Sequence, residues 1–99
     1  HLLTQATEAV VSQAQGDANA VGAAAVDFLH LTGYVTYAYM WAKMALTSQA
    51  LLAEDEAFHG AKIATAQFYF QRLLPQATAL AQGISAGSSA VMALAAEQF

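Results

Sequence analysis

The apolar positions of this chain recur at helical spacing from the first residues onward. A first helix over residues 2 to about 14 is predicted by apolar side chains that share one face, namely Leu3, Ala6, Val10 and Ala14. Gly16 is a typical helix stop. Asp17 or Asn19 can accept hydrogen bonds from the free N–H groups of a following turn, so a second helix is expected to begin there.

Two long helices are predicted next. The second helix should run to about Ala53, because no proline interrupts its apolar pattern. Glu54, Asp55 and Glu56 then place negative charge where a third helix would begin, close to its exposed N–H groups and the positive end of its dipole. This third helix is predicted to continue toward Ala86.

A short fourth helix is predicted at the C-terminal end. Gly87 can adopt the left-handed conformation that closes the third helix, and Ser88 or Ser89 can cap a helix that ends near Gln98. The two long helices would form an antiparallel hairpin in which facing residues have numbers that sum to about 108. The predicted fold is therefore all-α: an antiparallel four-helix bundle built on a long helical hairpin with two shorter helices.

One pair of facing residues is expected to disturb the hairpin. Gly33 lies opposite Pro75 under this pairing. Glycine lacks a side chain and proline lacks an N–H, so these two residues weaken or bend a helix more than any others. We predict a shared bend at this level, with the third helix interrupted at Pro75.

The stretch from Gly33 to Leu46 is unusually rich in large apolar side chains. Tyr37, Trp41 and Met44 share one helix face, which is predicted to pack on the third helix near Ala64, Gln67 and Gln71. Tyr39 and Met40 must project in other directions, because successive residues point about 100° apart.

The third helix raises the same question with Phe68, Tyr69 and Phe70, which cover roughly 200° of its circumference. A hairpin that is apolar on more than one side normally lies inside a larger assembly. The packing or interface residues are therefore predicted to be Tyr37, Tyr39, Met40, Trp41, Met44, Phe68, Tyr69 and Phe70. A self-contained bundle with an oily surface is the alternative.

Composition limits the partners and the chemistry. The 99 residues suffice for one domain, residues 1–99, and a quarter of them are Ala, which favours helices but contributes little to burial. The net charge of −4 disfavours nucleic acid and anionic membranes, and the polar residues of the most apolar window disfavour a membrane span. The absence of cysteine is compatible with a cytoplasmic location. Because the chain begins at His1, it is expected to be a fragment.

Asp27 and His30, and likewise Glu56 and His59, lie one helical turn apart, and this inventory of residues resembles that of a carboxylate-bridged di-iron bundle. Glu8 and Glu97 would supply further acids. The two pairs, however, are separated by roughly 38 Å along the hairpin, at 1.5 Å per residue. They are not expected to share a metal, so no metal site is predicted.

Other catalytic apparatus is not evident in the sequence. No strand-turn-helix element exposes a nucleophilic serine, and no glycine-rich loop could hold a phosphate. Lys43, Lys62 and Arg72 could together contact an anion, although solvated or ion-paired side chains are the simpler interpretation. No catalytic or cofactor-binding residue is predicted.

Three segments taken together resemble a known family. "DFLHLTGYVTYAYMWAKMAL", "FHGAKIATAQFYFQRLLPQATAL" and "GISAGSSAVMAL" are similar, in order and spacing, to the C-terminal helical domain of one branch of the acyl-CoA dehydrogenases. The resemblance covers most of residues 20–95. The matching positions are Leu29, Gly33, Trp41, Met44, Ala45, Lys62, Ala66, Phe68 to Phe70, and Leu73 to Pro75.

The resemblance implies a parent flavoenzyme that oxidises an acyl-CoA to the 2,3-enoyl-CoA. In such enzymes FAD and the acyl-CoA substrate are held by upstream domains of the same chain, and a glutamate there acts as the base. The domain itself is expected to be inactive, to bind no FAD, and to pack on the dehydrogenase core or stabilise a homo-oligomer. The alternatives are a free-standing helical interaction module without catalytic activity and, less favoured, a stand-alone metal enzyme.

Overall fold

The computed structural model describes residues 1–99 and contains helices but no strand, so the all-α class is confirmed. The helices are α1 (Leu2–Gly16), α2 (Asn19–Leu51), α3 (Glu56–Phe68) and α4 (Gln76–Ser85), with a π-helical segment (Tyr69–Leu73) between α3 and α4 and a 3-10 turn at Ala96–Gln98. No helix combines the length and the hydropathy that a bilayer-crossing segment requires.

The residues predicted to cap the helices do so in the structure. Asp17 Oδ1 accepts a hydrogen bond of 2.9 Å from the Asn19 N–H at the start of α2. Asp55 Oδ1 accepts one of 3.1 Å from the Phe58 N–H in the first turn of α3. Gly87 has a φ of 76°, the left-handed conformation that glycine adopts without steric penalty. Short polar side chains and one glycine therefore define where the helices begin and end.

The chain divides into two compact units. Unit 1 comprises His1–Thr32 and Ala77–Phe99, and unit 2 comprises Gly33–Gln76. Leu31 and Ile84 are the largest fully buried side chains of unit 1. The other buried apolar residues of unit 1 are alanines, namely Ala6, Ala20, Ala24 and Ala77. Such small side chains allow helix backbones to approach closely.

Unit 2 has a core that mixes small, aromatic and polar groups. Ala66 and Tyr69 are buried, and Ser48 is only 4% exposed. The buried Ser48 hydroxyl lies 3.2 Å from Nδ1 of His59, so its polar atom has a partner. Burial of this serine therefore leaves no unpaired polar group.

The predicted pairing of facing residues is confirmed within both units. A Cβ placed on Gly83 would lie 2.9 Å from Oδ2 of Asp27. Tyr34 and Gln76 are joined by a hydrogen bond of 2.7 Å. Numbers that sum near the predicted value thus identify neighbours in each unit, with Asp27–Gly83 in unit 1 and Tyr34–Gln76 and Ser48–His59 in unit 2.

The predicted interruption of the third helix at Pro75 is also confirmed. Helix α3 gives way to π-helical turns, in which the Leu74 N–H donates to the carbonyl of Tyr69 at 2.8 Å, five residues earlier. Because Pro75 has no N–H to donate, helical bonding resumes only at Gln76. Helix α2, by contrast, continues through Gly33. The break in α-helical hydrogen bonding thus occurs in the helix that contains the proline.

The predicted fourth helix over residues 88–98 is wrong. After one turn closed by the Met92 N–H and the carbonyl of Ser88, the chain forms irregular turns and the 3-10 turn at Ala96–Gln98. Residues 89–99 are all exposed. A short helix in water is marginal unless an amphipathic face packs on something else, and this segment buries none of its side chains.

Candidate interaction surface

The buried face of α2 follows a seven-residue repeat of mostly small side chains. One set of buried or half-buried positions is Ala24, Leu31, Ala38 and Ala45, and the other is Ala20, Asp27, Tyr34, Trp41 and Ser48. A seven-residue repeat is the spacing that keeps one seam of a helix against its neighbours. The contact face of α2 therefore consists mainly of small side chains, together with Tyr34 and Trp41 from the aromatic run.

This seam corrects part of the predicted aromatic packing. Trp41 belongs to the seam and is half-buried. Tyr37 and Met44 lie at the edge of the seam, about 100° from the seam alanine that follows each of them and about 40–60° from Trp41. Their side chains are 62% and 38% exposed. The prediction that Tyr37 and Met44 lie in the packed contact with the third helix is therefore wrong.

Two stripes of exposed side chains lie on opposite flanks of α2 in unit 2. The methionine stripe consists of Tyr37, Met40 and Met44, and the lysine stripe consists of Tyr39, Lys43 and Leu46. Tyr37 and Tyr39 are two residues apart and so point about 200° apart around the helix. In the lysine stripe, the Lys43 Nζ lies 5.1 Å from the centre of the Tyr39 ring, a cation–π contact.

Exposed aromatic rings also lie on the other helical arm of unit 2. Phe68 is 56% exposed and Phe70 is 37% exposed, and both were predicted as packing or interface residues. Phe58, which is not among the predicted interface residues, is also exposed, and the Lys62 Nζ lies 5.4 Å from the centre of its ring. Unit 2 therefore exposes apolar area on both of its helical arms.

Tyr69 differs from its aromatic neighbours because it belongs to the core, with only 4% of its surface exposed. Its hydroxyl donates to the main-chain carbonyl of Tyr34, whose own hydroxyl donates to Oε1 of Gln76. Burial raises the pKa of the Tyr69 hydroxyl, and the nearby hydroxyls of Tyr34 and Tyr37 add to this effect. Tyr69 lies three residues after buried Ala66 and shares its face, so its ring belongs to the core of unit 2.

The candidate metal residues form no metal-binding cluster. Asp27 is half-buried against Gly83, whereas His30 is exposed. His59 is paired with Ser48, and Glu56 is exposed in the first turn of α3. No group of three or more His, Asp or Glu side chains is arranged to hold a metal ion.

Charge is distributed unevenly between the units. Lys43, Lys62 and Arg72 all belong to unit 2, and unit 1 has no Lys or Arg. Asp17 in unit 1 accepts a hydrogen bond from the buried Ser88 hydroxyl. This bond, together with the bond from the Asn19 N–H, lowers the pKa of the Asp17 carboxyl. Unit 1 is thus acidic, whereas unit 2 contains every cationic side chain.

Helices α1 and α2 form an apolar groove in unit 1. It encloses a cavity of about 220 Å³ lined by Thr7, Val10 and Val11 of α1 and by Val21, Ala24, Ala25 and Phe28 of α2. The hydroxyl of Thr7, the one polar side chain in this lining, donates to the carbonyl of Leu3 at 2.8 Å. The α1–α2 groove therefore offers a ligand only apolar contacts.

A second cavity of about 270 Å³ lies beside the start of α2 and the C-terminal segment. Its lining residues are Ala18, Asn19, Gly22, Ala23, Ser88, Val91 and Met92. The hydroxyl of Ser88 is already bonded to Asp17. The Ser88 hydroxyl is therefore not available to orient a ligand in this cavity.

The fold and the exposed stripes together define an all-α domain with apolar side chains on its surface. Comparison with known families agrees with this class: the chain belongs to the acetyl-CoA dehydrogenase C-terminal-like family, whose model matches residues 1–95. No curated protein and no solved structure matches the chain. The resemblance to the C-terminal domain of the acyl-CoA dehydrogenases is confirmed.

Proposed function

We propose that this chain is the C-terminal structural domain of an FAD-dependent acyl-CoA dehydrogenase, and that it packs on the dehydrogenase core and stabilises its oligomer. The parent enzyme would oxidise acyl-CoA to 2,3-enoyl-CoA. The observation that carries the proposal is the match of residues 1–95 to a family defined by that position in these enzymes. The exposed apolar stripes of α2 supply the surface that such packing would cover.

Neither of the two cavities described above suits FAD. Both cavities described above lie in unit 1, where no Lys or Arg is available to pair with a diphosphate. Their volumes are smaller than the roughly 300–1,000 Å³ of typical small-molecule sites. In this proposal the flavin, the acyl-CoA and the catalytic base belong to the upstream domains of the parent chain, and no step is assigned to residues 1–99.

The two stripes of α2 suit different contacts: one with the dehydrogenase core and one between copies of the chain. The methionine stripe has no charged side chain, and charged residues are depleted at the centre of permanent interfaces. We assign it to the contact with the dehydrogenase core. The lysine stripe includes Lys43 and remains compatible with exposure to water, as a surface between separately folded copies must be.

The coding sequence immediately upstream of residue 1 tests the proposal most directly. We expect several hundred residues of dehydrogenase sequence in the same reading frame. A start codon adjacent to residue 1 would contradict the proposal and favour a free-standing helical interaction module.

A second test uses the purified 99-residue chain. Because the flavin site is assigned to the parent, we expect the chain to show no flavin absorbance after incubation with FAD and no oxidation of acyl-CoA substrates. The parent reading frame, purified in parallel, serves as the positive control. Stoichiometric FAD on the isolated chain would refute the assignment.

A further inference from the structure

The chain exposes acidic groups in unit 1 that its own contacts leave available. Of the four carboxylates in unit 1, Asp17 accepts a bond from Ser88 and Asp27 lies against Gly83. Glu8 and Glu97 are exposed. Since unit 1 contains no Lys or Arg, its surface attracts a partner that presents positive charge.

Glu8 is the acidic residue closest in sequence to the α1–α2 groove. It follows the groove residue Thr7 directly and lies two residues before Val10 and three before Val11. In a helix, Glu8 and Val11 are neighbours on the surface because they are three residues apart, whereas Val10 points to the opposite side from Glu8. Glu8 therefore lies beside the Val11 edge of the groove and outside its lining. The groove therefore combines apolar walls with a carboxylate on the same helix, and it suits an aromatic side chain that is accompanied by a cation.

The lysine stripe of unit 2 has this combination. Tyr39 is 60% exposed, Leu46 is 69% exposed, and Lys43 lies over the Tyr39 ring between them. The Lys43 ammonium group would therefore accompany the Tyr39 ring into a contact. A cavity of about 220 Å³ is large enough to accept an aromatic side chain.

We propose that the lysine stripe of one copy of this chain docks in the α1–α2 groove of a second copy, with the Tyr39 ring in the groove and Lys43 facing Glu8. The inference rests on the structural role proposed above and names the partner as a second copy. Each copy has one stripe and one groove.

Sedimentation analysis of the 99-residue chain tests the apolar part of the contact. We expect Tyr39→Ser to weaken self-association about tenfold or more, as removal of a central aromatic anchor does. Tyr37→Ser is the matched control, because Tyr37 is equally exposed on the same helix but belongs to the methionine stripe. It should change association less than about twofold. Equal losses for the two variants would overturn the inference.

Charge exchange tests the ionic part. Lys43→Glu and Glu8→Lys should each weaken association about tenfold, because each places like charges against one another. The combined Glu8→Lys, Lys43→Glu chain has the net charge of the unmodified protein and should recover association to within about threefold. Failure of the combination to recover would show that these two residues do not face each other, and would overturn the inference.

Filling the groove gives an independent test. Ala25→Phe places a ring in the groove and should block association, whereas Val26→Phe adds the same ring at the next position, outside the groove lining, and should not. Circular dichroism would establish that both variants remain helical. An unmodified chain that is monomeric at high micromolar concentration would overturn the docking proposal. The parentage of the domain would be unaffected, because the upstream reading frame decides it separately.

Discussion

At the scale of single residues, hydrogen bonds donated by a buried tyrosine and a buried serine hydroxyl connect segments that are distant in sequence. Tyr69 donates to the Tyr34 carbonyl, 35 residues away, and Ser88 donates to Asp17, 71 residues away. One partner in each bond is titratable: the Tyr69 hydroxyl in the first and the Asp17 carboxyl in the second. Their contributions to stability should therefore depend on pH, in opposite directions.

Alkaline pH should destabilise the fold through Tyr69. Its pKa in the folded chain is raised above the ordinary value of 10.0, so its stabilising contribution is complete below that value and is lost as pH rises through the folded pKa. We expect Tyr69→Phe to cost about 1 kcal/mol at neutral pH, because one hydrogen bond is lost. The variant should also show a weaker loss of stability above pH 10.0 than the unmodified chain. Urea unfolding followed by circular dichroism measures both effects, and an unchanged alkaline slope would contradict the assignment.

Acid should act through Asp17 instead. The pKa of this carboxyl is lowered below 3.8 in the folded chain, so its contribution is present above that value and is lost as pH falls through the folded pKa. The Ser88 hydroxyl is the larger cause, so Ser88→Ala should flatten the loss of stability below pH 3.8. Ser89→Ala, at an exposed neighbour, is the control and should keep the slope of the unmodified chain.

At the scale of helices, glycine and proline have unequal effects. Pro75 ends regular α-helical bonding, whereas Gly33 is accommodated within a continuous α2. A Cβ placed on Gly33 would meet no atom within 4 Å. The glycine therefore contributes no close packing that an alanine would disturb.

Gly33→Ala should stabilise the chain. An unobstructed alanine in a helix interior is favoured over glycine by about 0.5–1 kcal/mol, because it loses less backbone entropy on folding. Gly87→Ala provides the contrast: its φ of 76° is unfavourable for alanine, so this substitution should destabilise the chain. Thermal unfolding would compare the two, and a lower melting temperature for Gly33→Ala would contradict the argument.

The helices were largely predictable from the sequence, but the face of α2 that packs was not. Caps at Asp17 and Asp55 and the break at Pro75 are local effects of short polar side chains and a missing N–H, so the sequence alone specifies them. Which face of an apolar helix is buried depends on tertiary packing. The alanine seam that includes Ala38 and Ala45 allows close approach, and it leaves the larger Tyr37 and Met44 outside.

The surface features divide in the same way. Exposure of Tyr39 and Met40 was predictable because a helix cannot bury its whole circumference against one neighbour. The α1–α2 groove was not predicted. The adjacent valines Val10 and Val11 could have indicated it, because they widen the apolar face of α1. The exposed segment after Ser88 was missed because helix propensity alone does not stabilise so short a helix.

At the scale of the whole molecule, self-association should be visible in thermal stability. If the folded chain binds a second copy and the unfolded chain does not, mass action raises the melting temperature as protein concentration increases. We expect this dependence for the unmodified chain and its near loss in Tyr39→Ser. A melting temperature that is independent of concentration in both would argue for a monomer with an apolar surface.

The placement of every Lys and Arg in unit 2 also determines how the two units respond to proteolysis. Trypsin cleaves after these residues, so Lys43, Lys62 and Arg72 are its only target positions, and residues 1–32 and 77–99 contain none. All three lie in helical segments, which a protease cleaves only after local opening. The rate of tryptic digestion of the native chain therefore reports the opening of unit 2 alone, and fluctuations of unit 1 would be seen only with a protease that recognises apolar side chains.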